Sequence, residues 1–460
     1  MQSDSNSSRG RIALFLCALM LMSVLPTVNA ATHGRAGMDV GPIAASVSYS
    51  SSSDHQSYAA LSSQDPSSIG MTRPSGLWII DGMYMVSQRI DVTIENFGDT
   101  AATSFNVDIE ILHDEYSDFV LHSQTLNVPS LAPGATTDLT TTWVPDYTGN
   151  HTIRITTHLT NDVNNNNDVG SRSLTIGNMY DRAEATTSWS LGSNWYQSDE
   201  ASLSGSYSFH VGGSTSSSNY GNNWDTSLVS PVIDTSDAHP NPTRGSGIGF
   251  FYTGEAIDAD GFDIDVWDGN TWQRITSTVT ASVDTDFSMG SSWLITVNQV
   301  GSNSVPWWNI PASHMNSQFK FRINFHSNAA GTSIGYWIED IVMFYDQKAR
   351  PSEFSLTAST GQSGHARAGE WAETTVSLTN NGNLSDNVDL SVENLPNGWD
   401  YRFQHMSGSM IPDGVGIQLT PGESRNFKLL VQPSEGSPLG STSVNVRMQS
   451  SEPSVSASTT

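Results

Sequence analysis

Val92-Thr93-Ile94-Glu95-Asn96-Phe97-Gly98-Asp99 and Val376-Ser377-Leu378-Thr379-Asn380-Asn381-Gly382-Asn383 spell one pattern twice. In each, apolar residues two apart lead into Asn-x-Gly, and a Leu-x-Pro-Gly turn follows: Leu131-Ala132-Pro133-Gly134 and Leu419-Thr420-Pro421-Gly422. Both copies continue through an alternating stretch to a proline (Pro145, Pro433) and a glycine (Gly149, Gly440). Period-two alternation marks a strand with one buried face, and Asn-x-Gly and Pro-Gly offer the positive φ of tight turns. The repeat predicts two related all-β sandwiches, a scaffold rather than an active site.

Upstream of the first copy, Arg9 and Arg11 precede an unbroken apolar run from Ile12 to Val24, and Val28-Asn29-Ala30 follows. This is the layout of a secretory signal peptide over residues 1–30, too short in its apolar part to span a bilayer, and it predicts an extracellular or cell-surface protein. The one cysteine, Cys17, falls inside that signal, so the exported chain folds without disulfides. A formal net charge of −27 with only three lysines, Lys320, Lys348 and Lys428, excludes nucleic acid as a partner. No transmembrane helix is expected in the mature chain.

The rest divides by texture. Residues 31–56 are Ser-, Ala- and Gly-rich and predict a flexible segment. Residues 57–177 alternate as in Ile90, Val92, Ile94 and Phe105, Val107, Ile109, Ile111, which predicts an Ig-like sandwich. Residues 178–347 hold nine of the 13 tryptophans and no helical periodicity, so a jelly roll is expected there. Within it, Asp268-Gly269-Asn270 predicts a hairpin turn that sets Trp267 beside Trp272. Residues 349–460 repeat the first sandwich. In the first copy a strand from Ser171 to Ile176 follows the repeat glycine, whereas little chain remains after Gly440. The last sandwich is therefore expected to lack its closing strand, so that either the protein continues past residue 460 or the domain is left with an open sheet edge.

On Val92 to Gly98, Leu131 to Gly134, Trp143-Val144-Pro145, Gly149 and the Asn-rich Asn161 to Asp168, the first domain resembles the CARDB family, an Ig-like adhesion-related module of bacterial and archaeal surface proteins. The middle domain looks like the MAM-type, concanavalin-like jelly rolls that accompany secreted metallopeptidases of the immune-inhibitor-A kind. The residues that carry this are Trp195, Ser227 to Asp234, Asp268 to Trp272, Phe321 to Phe325 and Trp337 to Ile341; the missing cysteines place it on the prokaryotic branch. The third resembles the NPCBM-associated, alpha-galactosidase-type NEW domain through Val376 to Gly382, Leu395-Pro396-Asn397-Gly398-Trp399 and Leu419 to Glu423. These resemblances imply accessory modules without chemistry of their own.

Candidate sites lie between the repeats. Asp263, Asp265 and Asp268 share a strand as the carboxylates of concanavalin-like glucanases do, but Asp268 is more simply a turn residue and the other two a solvated face. Asp181 and Glu184 at the start of the domain, with Glu339 and Asp340 near its end, would offer a Ca²⁺ ion carboxylate oxygens where first and last strands meet. Asp258 and Asp260 form a second acidic loop. Trp307 and Trp308, between Pro306 and Pro311, are the expected exposed platform for stacking a sugar ring. The sequons at Asn150 and Asn383 are expected in surface turns. The function expected is non-catalytic binding or adhesion, with the jelly roll contacting an extracellular glycan or surface protein and the Ig-like domains as spacers. The alternative is the accessory region of a larger secreted peptidase or glycosidase whose catalytic domain lies outside this chain.

Overall fold

A computed structural model describes residues 36–49, 80–116, 119–203, 205–215, 218–240, 245–280, 293–295, 298–300, 303–305, 307–361 and 363–460. The expected signal peptide lies outside them. The chain is all-β, with three sandwiches in the order Ig-like, jelly roll, Ig-like, and among the described residues helix is limited to short 3₁₀ turns such as Ala312–His314 and Pro351–Glu353. Among the described residues no helix is long and apolar enough to cross a membrane.

In the first domain, a sheet of Val40–Tyr49, Gln88–Asn96 and Thr136–Trp143 packs on a five-stranded sheet ordered Gly82–Met83, Val169–Gly177, Gly149–His158, Phe105–His113, Val120–Val128. Ile90, Val92 and Ile94 from one sheet meet Val107, Ile109, Ile111, Ile153 and Ile155 from the other. The strand Val40–Tyr49 corrects the expected flexible segment 31–56: the domain begins there, antiparallel to Gln88–Asn96, with Val40 opposite Asn96. Its small residues, Gly41, Ala44, Ala45, Ser46 and Ser48, carry almost no alternation signal. As an edge strand it needs only Val40, Ala45 and Val47 on the core.

The repeated sentence now has a physical meaning. Asn96, fully buried, donates through Nδ2 to Thr100 O (3.0 Å) and Leu131 O (2.8 Å) and accepts from Gly98 N (2.9 Å). Asn380 does the same with Leu384 O (2.7 Å), Leu419 O (3.2 Å) and Gly382 N (2.9 Å). The asparagine thus ties its own turn to the leucine carbonyl of the Leu-x-Pro-Gly turn across the sandwich, satisfying groups that burial would otherwise strand. The Pro-Gly glycines do take positive φ, 66° at Gly134 and 74° at Gly422. Those of Asn-x-Gly do not, against expectation. A Cβ on Gly98 would sit 2.1 Å from Gly37 O, and one on Gly382 2.5 Å from Glu353 O, so these glycines admit the backbone that leads into the first strand.

The third domain repeats the central strand order and extends one sheet by two strands. Leu356–Thr360, Ala372–Asn380, Ser424–Gln432, Asp400–His405 and Met410–Ile411 form one sheet, with Leu356 opposite Asn380 as Val40 is opposite Asn96. The second sheet runs Ile417–Leu419, Asp386–Glu393, Asn445–Gln449, Ser456–Thr459. The strand expected to be missing is therefore present: Ser456–Thr459 pairs antiparallel with Asn445–Gln449, and Thr360 Oγ1 donates to Thr460 O (2.9 Å). Its short run of Ser, Ala and Thr hid it, as in the first domain.

The jelly roll sets Ser190–Leu191, Asp225–Val229, Phe321–His326, Gly261–Trp267 and Trp272–Arg274 against a larger sheet. That sheet is built on Trp195–Ser198, Ser208–Val211, Gly335–Tyr345, Ser246–Glu255 and Leu294–Ile295. Phe209, Phe250, Phe262, Phe321, Phe325 and Tyr336 fill the space between.

The domains are joined closely. One residue, Asn178, separates the last strand of the first domain from Met179–Asp181, which pairs with Gly335–Tyr345. At the other end of the joint Thr148 Oγ1 donates to Tyr345 O (2.8 Å), Asn150 N to Asp346 Oδ1 (2.6 Å), and His113 Nε2 to Gln347 O (3.0 Å). Asn150 thus lies on a strand at the joint rather than in a surface turn, whereas Asn383 is in an exposed turn. Ile80, Met83 and Val86 bury themselves against Tyr180, Val342 and Phe344, and Phe119 and Tyr147 against Ala349, Phe354 and Leu384 of the third domain.

Two buried histidines make stability pH-dependent. Burial holds His151, beside Trp143 and His113, down to about 3; its Nδ1 donates to Gly149 O (2.9 Å) and its Nε2 finds no donor among the described residues. Burial likewise holds His210, stacked on Trp337 at 3.9 Å, to about 4. Unfolded histidine titrates near pH 6.5, so below that the unfolded chain takes up protons the folded chain refuses. The stability is whole above pH 6.5 and lost progressively as pH falls toward 4. Between pH 7.5 and 5.5 the first and middle domains should each lose on the order of 1 kcal/mol from their histidine. Urea midpoints that do not move over this interval would contradict both assignments.

Candidate functional site

The strand Gly261–Trp267 turns Phe262, Ile264 and Val266 into the core and Asp263, Asp265 and Trp267 outward, as alternation requires. The hairpin sets Trp267 opposite Trp272 and Asp265 opposite Arg274; on the other side Asp265 faces Arg322 and Asp263 faces Asn324. Asp268 makes the turn: its carboxylate accepts from Thr271 N (2.7 Å) and Asn270 N (2.8 Å), and these donors hold it down to about 2. Gly269 supplies φ 102°.

The outer face of this sheet carries a charge ladder. Arg322 grips Asp265 Oδ2 through Nη2 (2.7 Å) and Nε (2.8 Å). Arg274 Nη2 lies 2.5 Å from Asp263 Oδ2 and its Nε 3.7 Å from Asp265 Oδ1; His326 Nδ1 stands 3.3 Å from Asp263, and Thr278 donates to Asp263 Oδ1 (2.9 Å). The carboxylates lie beneath their cations: side-chain exposure is 0% for Asp263 and 6% for Asp265, against 52% for Arg274 and 27% for Arg322. Both carboxylates are therefore already engaged by cationic side chains from neighbouring strands. They orient the guanidinium groups toward solvent.

Above the ladder the two tryptophans meet edge to face, ring centroids 5.4 Å apart, both half-buried. Lys320 Nζ lies 5.0 Å from the centroid of Trp267 and 5.5 Å from that of Trp272, and Arg322 Cζ 4.6 Å from Trp272. Cations over indole faces at these distances are attracted by the ring quadrupole, which orders the lysine. The face thus offers flat apolar rings beside ordered cationic donors. The hairpin and its tryptophan pair are legible in the sequence. Lys320 and Arg322 are not, because strand Phe321–His326 reaches this place only through sheet pairing.

Trp307 and Trp308 are not the exposed platform expected. Trp308 is 7% exposed and packs on Phe250 within the core. Trp307 lies against Phe344 (centroids 5.2 Å apart), packed on the cluster at the joint with the first domain. Trp308 thus turns into the core, and Trp307, partly buried, is spent on packing against Phe344.

The four carboxylates expected to hold Ca²⁺ are each engaged by the chain itself, Glu184 and Glu339 on the same segment, Gly205–Ser206. Glu339 accepts from Leu203 N and from Gly205 N (2.9 Å), Glu184 from Ser206 N (2.6 Å), Asp181 from Ala183 N (2.7 Å) and Trp189 Nε1 (2.8 Å), and Asp340 from Tyr180 OH (2.7 Å). Asp340 takes φ 53° at a bulge in Gly335–Tyr345. Among the described residues no three acidic or imidazole side chains form a group fit to hold a metal. Asp260 of the second acidic loop accepts from Tyr220 OH (2.8 Å) and Asn328 N (2.6 Å), a structural duty.

Residues 78–170 match the CARDB family model, a non-catalytic domain type. Among solved structures, a CARDB domain from Pyrococcus furiosus crystallised with di-metal ions is 22% identical over 21% of this chain and 80% of its own, with a TM-score of 0.18. The K2 cleaved adhesin domain of Lys-gingipain is 13% identical over 36% of this chain and 96% of its own, at 0.23. The secreted serine protease VesC from Vibrio cholerae is 9% identical over 57% of this chain and 48% of its own, at 0.18. No curated protein matches the sequence.

Proposed function

We propose that this chain is an exported, non-catalytic binding protein of the cell surface or medium. Its middle domain contacts an extracellular glycan or surface protein, and the flanking Ig-like domains are spacers. The CARDB domain is followed in this reading by a MAM-like jelly roll and a NEW-like module. The observation that carries the proposal is the outer face around Trp267 and Trp272, where half-buried indoles sit beside cations held in place from below. The paired carboxylates Asp263 and Asp265, spent on Arg274 and Arg322, support a binding rather than a hydrolytic role. The close joints suit spacers that hold the jelly roll at a set angle.

The test is a glycan array probed with the full chain and with Trp272→Ala. One stacked aromatic side chain contributes about 0.5–1.5 kcal/mol beyond its area, so with its buried surface the loss should approach tenfold in affinity. Ligands bound equally by both proteins would remove this face from the reading.

A further inference from the structure

We propose that this face selects an anionic saccharide, one whose sugar rings carry carboxylate or sulfate groups; the inference rests on the face being the contact surface. Residues 178–347 contain only five basic residues, Arg182, Arg244, Arg274, Lys320 and Arg322, among 18 acidic ones. Three of the five, Arg274, Lys320 and Arg322, are on this one patch. In a chain of net charge −27 a random placement would scatter them among carboxylates at the surface. Here Asp263 and Asp265 are at the bottom, so solvent meets the guanidinium groups above them first, while the more exposed Asp268 and Asp225 are taken up by Thr271, Asn270 and Gln273 and by Asn324.

Lys320 differs from the arginines. Among the described residues it makes no ion pair, and its ammonium lies over the two indoles. A cation fixed on aromatic rings without a counter-ion is a ready partner for an anion, because the anion need not displace a carboxylate. Arg322 and Arg274 flank Asp265 from strands on either side, their backbones about 10 Å apart, and their guanidinium groups converge over the Asp265 carboxylate. A saccharide with a charged group on successive rings can meet more than one of these cations while one ring lies against Trp267 or Trp272. At physiological salt, charges beyond roughly 8 Å are largely screened, so the patch acts before the acidic remainder of the protein does.

The experiment is binding by the full chain to two matched pairs: polygalacturonate with its methyl ester, and dextran sulfate with dextran. At least one anionic member should bind tenfold or more tightly than its neutral partner. The pair that shows the difference tells carboxylate from sulfate. Raising NaCl from about 0.15 to 1 M should weaken that binding, since the screening length falls to about 3 Å. Lys320→Gln, which leaves no buried charge behind, should weaken it about fivefold, a loss in line with a single partly exposed ion pair. Lys428→Gln, in the third domain, should not.

Equal binding within both pairs, still sensitive to Trp272→Ala, would overturn the anionic selection and leave the face as a contact surface. Anionic binding untouched by both Lys320→Gln and Trp272→Ala would overturn both readings, as adsorption elsewhere. Binding to none of the four would overturn the selection, and the array would then decide the face.

Discussion

Asn96→Asp should strongly destabilise the first domain while leaving the third unchanged, and Asn380→Asp should do the reverse. Each exchange replaces an Nδ2 that donates to two buried carbonyls by an oxygen that repels them, at 3.0 and 2.8 Å for Asn96 and 2.7 and 3.2 Å for Asn380. The new carboxylate is enclosed at 0% exposure, so it is either an uncompensated buried charge or a group that must bind a proton to stay. Breaking a buried charged or polar set from one side costs about 3–5 kcal/mol, a large part of a domain's typical 5–15 kcal/mol. Hydrogen exchange followed by mass spectrometry resolves the domains: protection over Gln88–Asn96 and Phe105–His113 should fall sharply in Asn96→Asp, with Ala372–Asn380 unchanged. Full protection in both would show that the asparagine bridges are dispensable.

Gly149→Ala should open the joint between the first domain and the jelly roll. Gly149 has φ 92°, where an alanine pays roughly 1–2 kcal/mol, and its Cβ would stand 2.3 Å from Asp346 Oδ1, 2.5 Å from Asp346 Cα and 2.8 Å from Tyr345 O. The Oδ1 can rotate away, but the Cα and the carbonyl are backbone and move only if Tyr345 and Asp346 leave the first domain. With them would go the bonds from Thr148, Asn150 and His113. Ala349, 4% exposed in the joint, should then become accessible. Trypsin should cut after Lys348 at least tenfold faster than in the parent chain, and small-angle scattering should show a larger radius of gyration. Unchanged cleavage and scattering would mean that the joint absorbs the methyl group.

The two variants probe different levels of the structure, one inside a domain and one between domains, and the contrast bears on the proposed function. If the Ig-like domains are spacers, opening the joint should leave the Trp267 and Trp272 face able to bind and change only where it points.

The all-β class, the two related sandwiches and the hairpin at Asp268 were determined by the sequence alone. All three rest on local physics: alternation sets which face of a strand is buried, and Pro-Gly or Asp-Gly fixes where the chain can turn. The same physics failed where residues were small. Val40–Tyr49 and Ser456–Thr459 offer too little apolar contrast, and they are strands because a neighbour presents open backbone groups to them. The site depended on tertiary structure almost entirely. Whether a tryptophan is a platform or core, as with Trp272 against Trp308, depends on what covers it, and the cover comes from residues distant in sequence. Asp263 and Asp265 read as a solvated face in sequence. They are buried because Arg274, Arg322 and His326 arrive from two other strands, and the cost of desolvating a carboxylate is met only when such partners are in place.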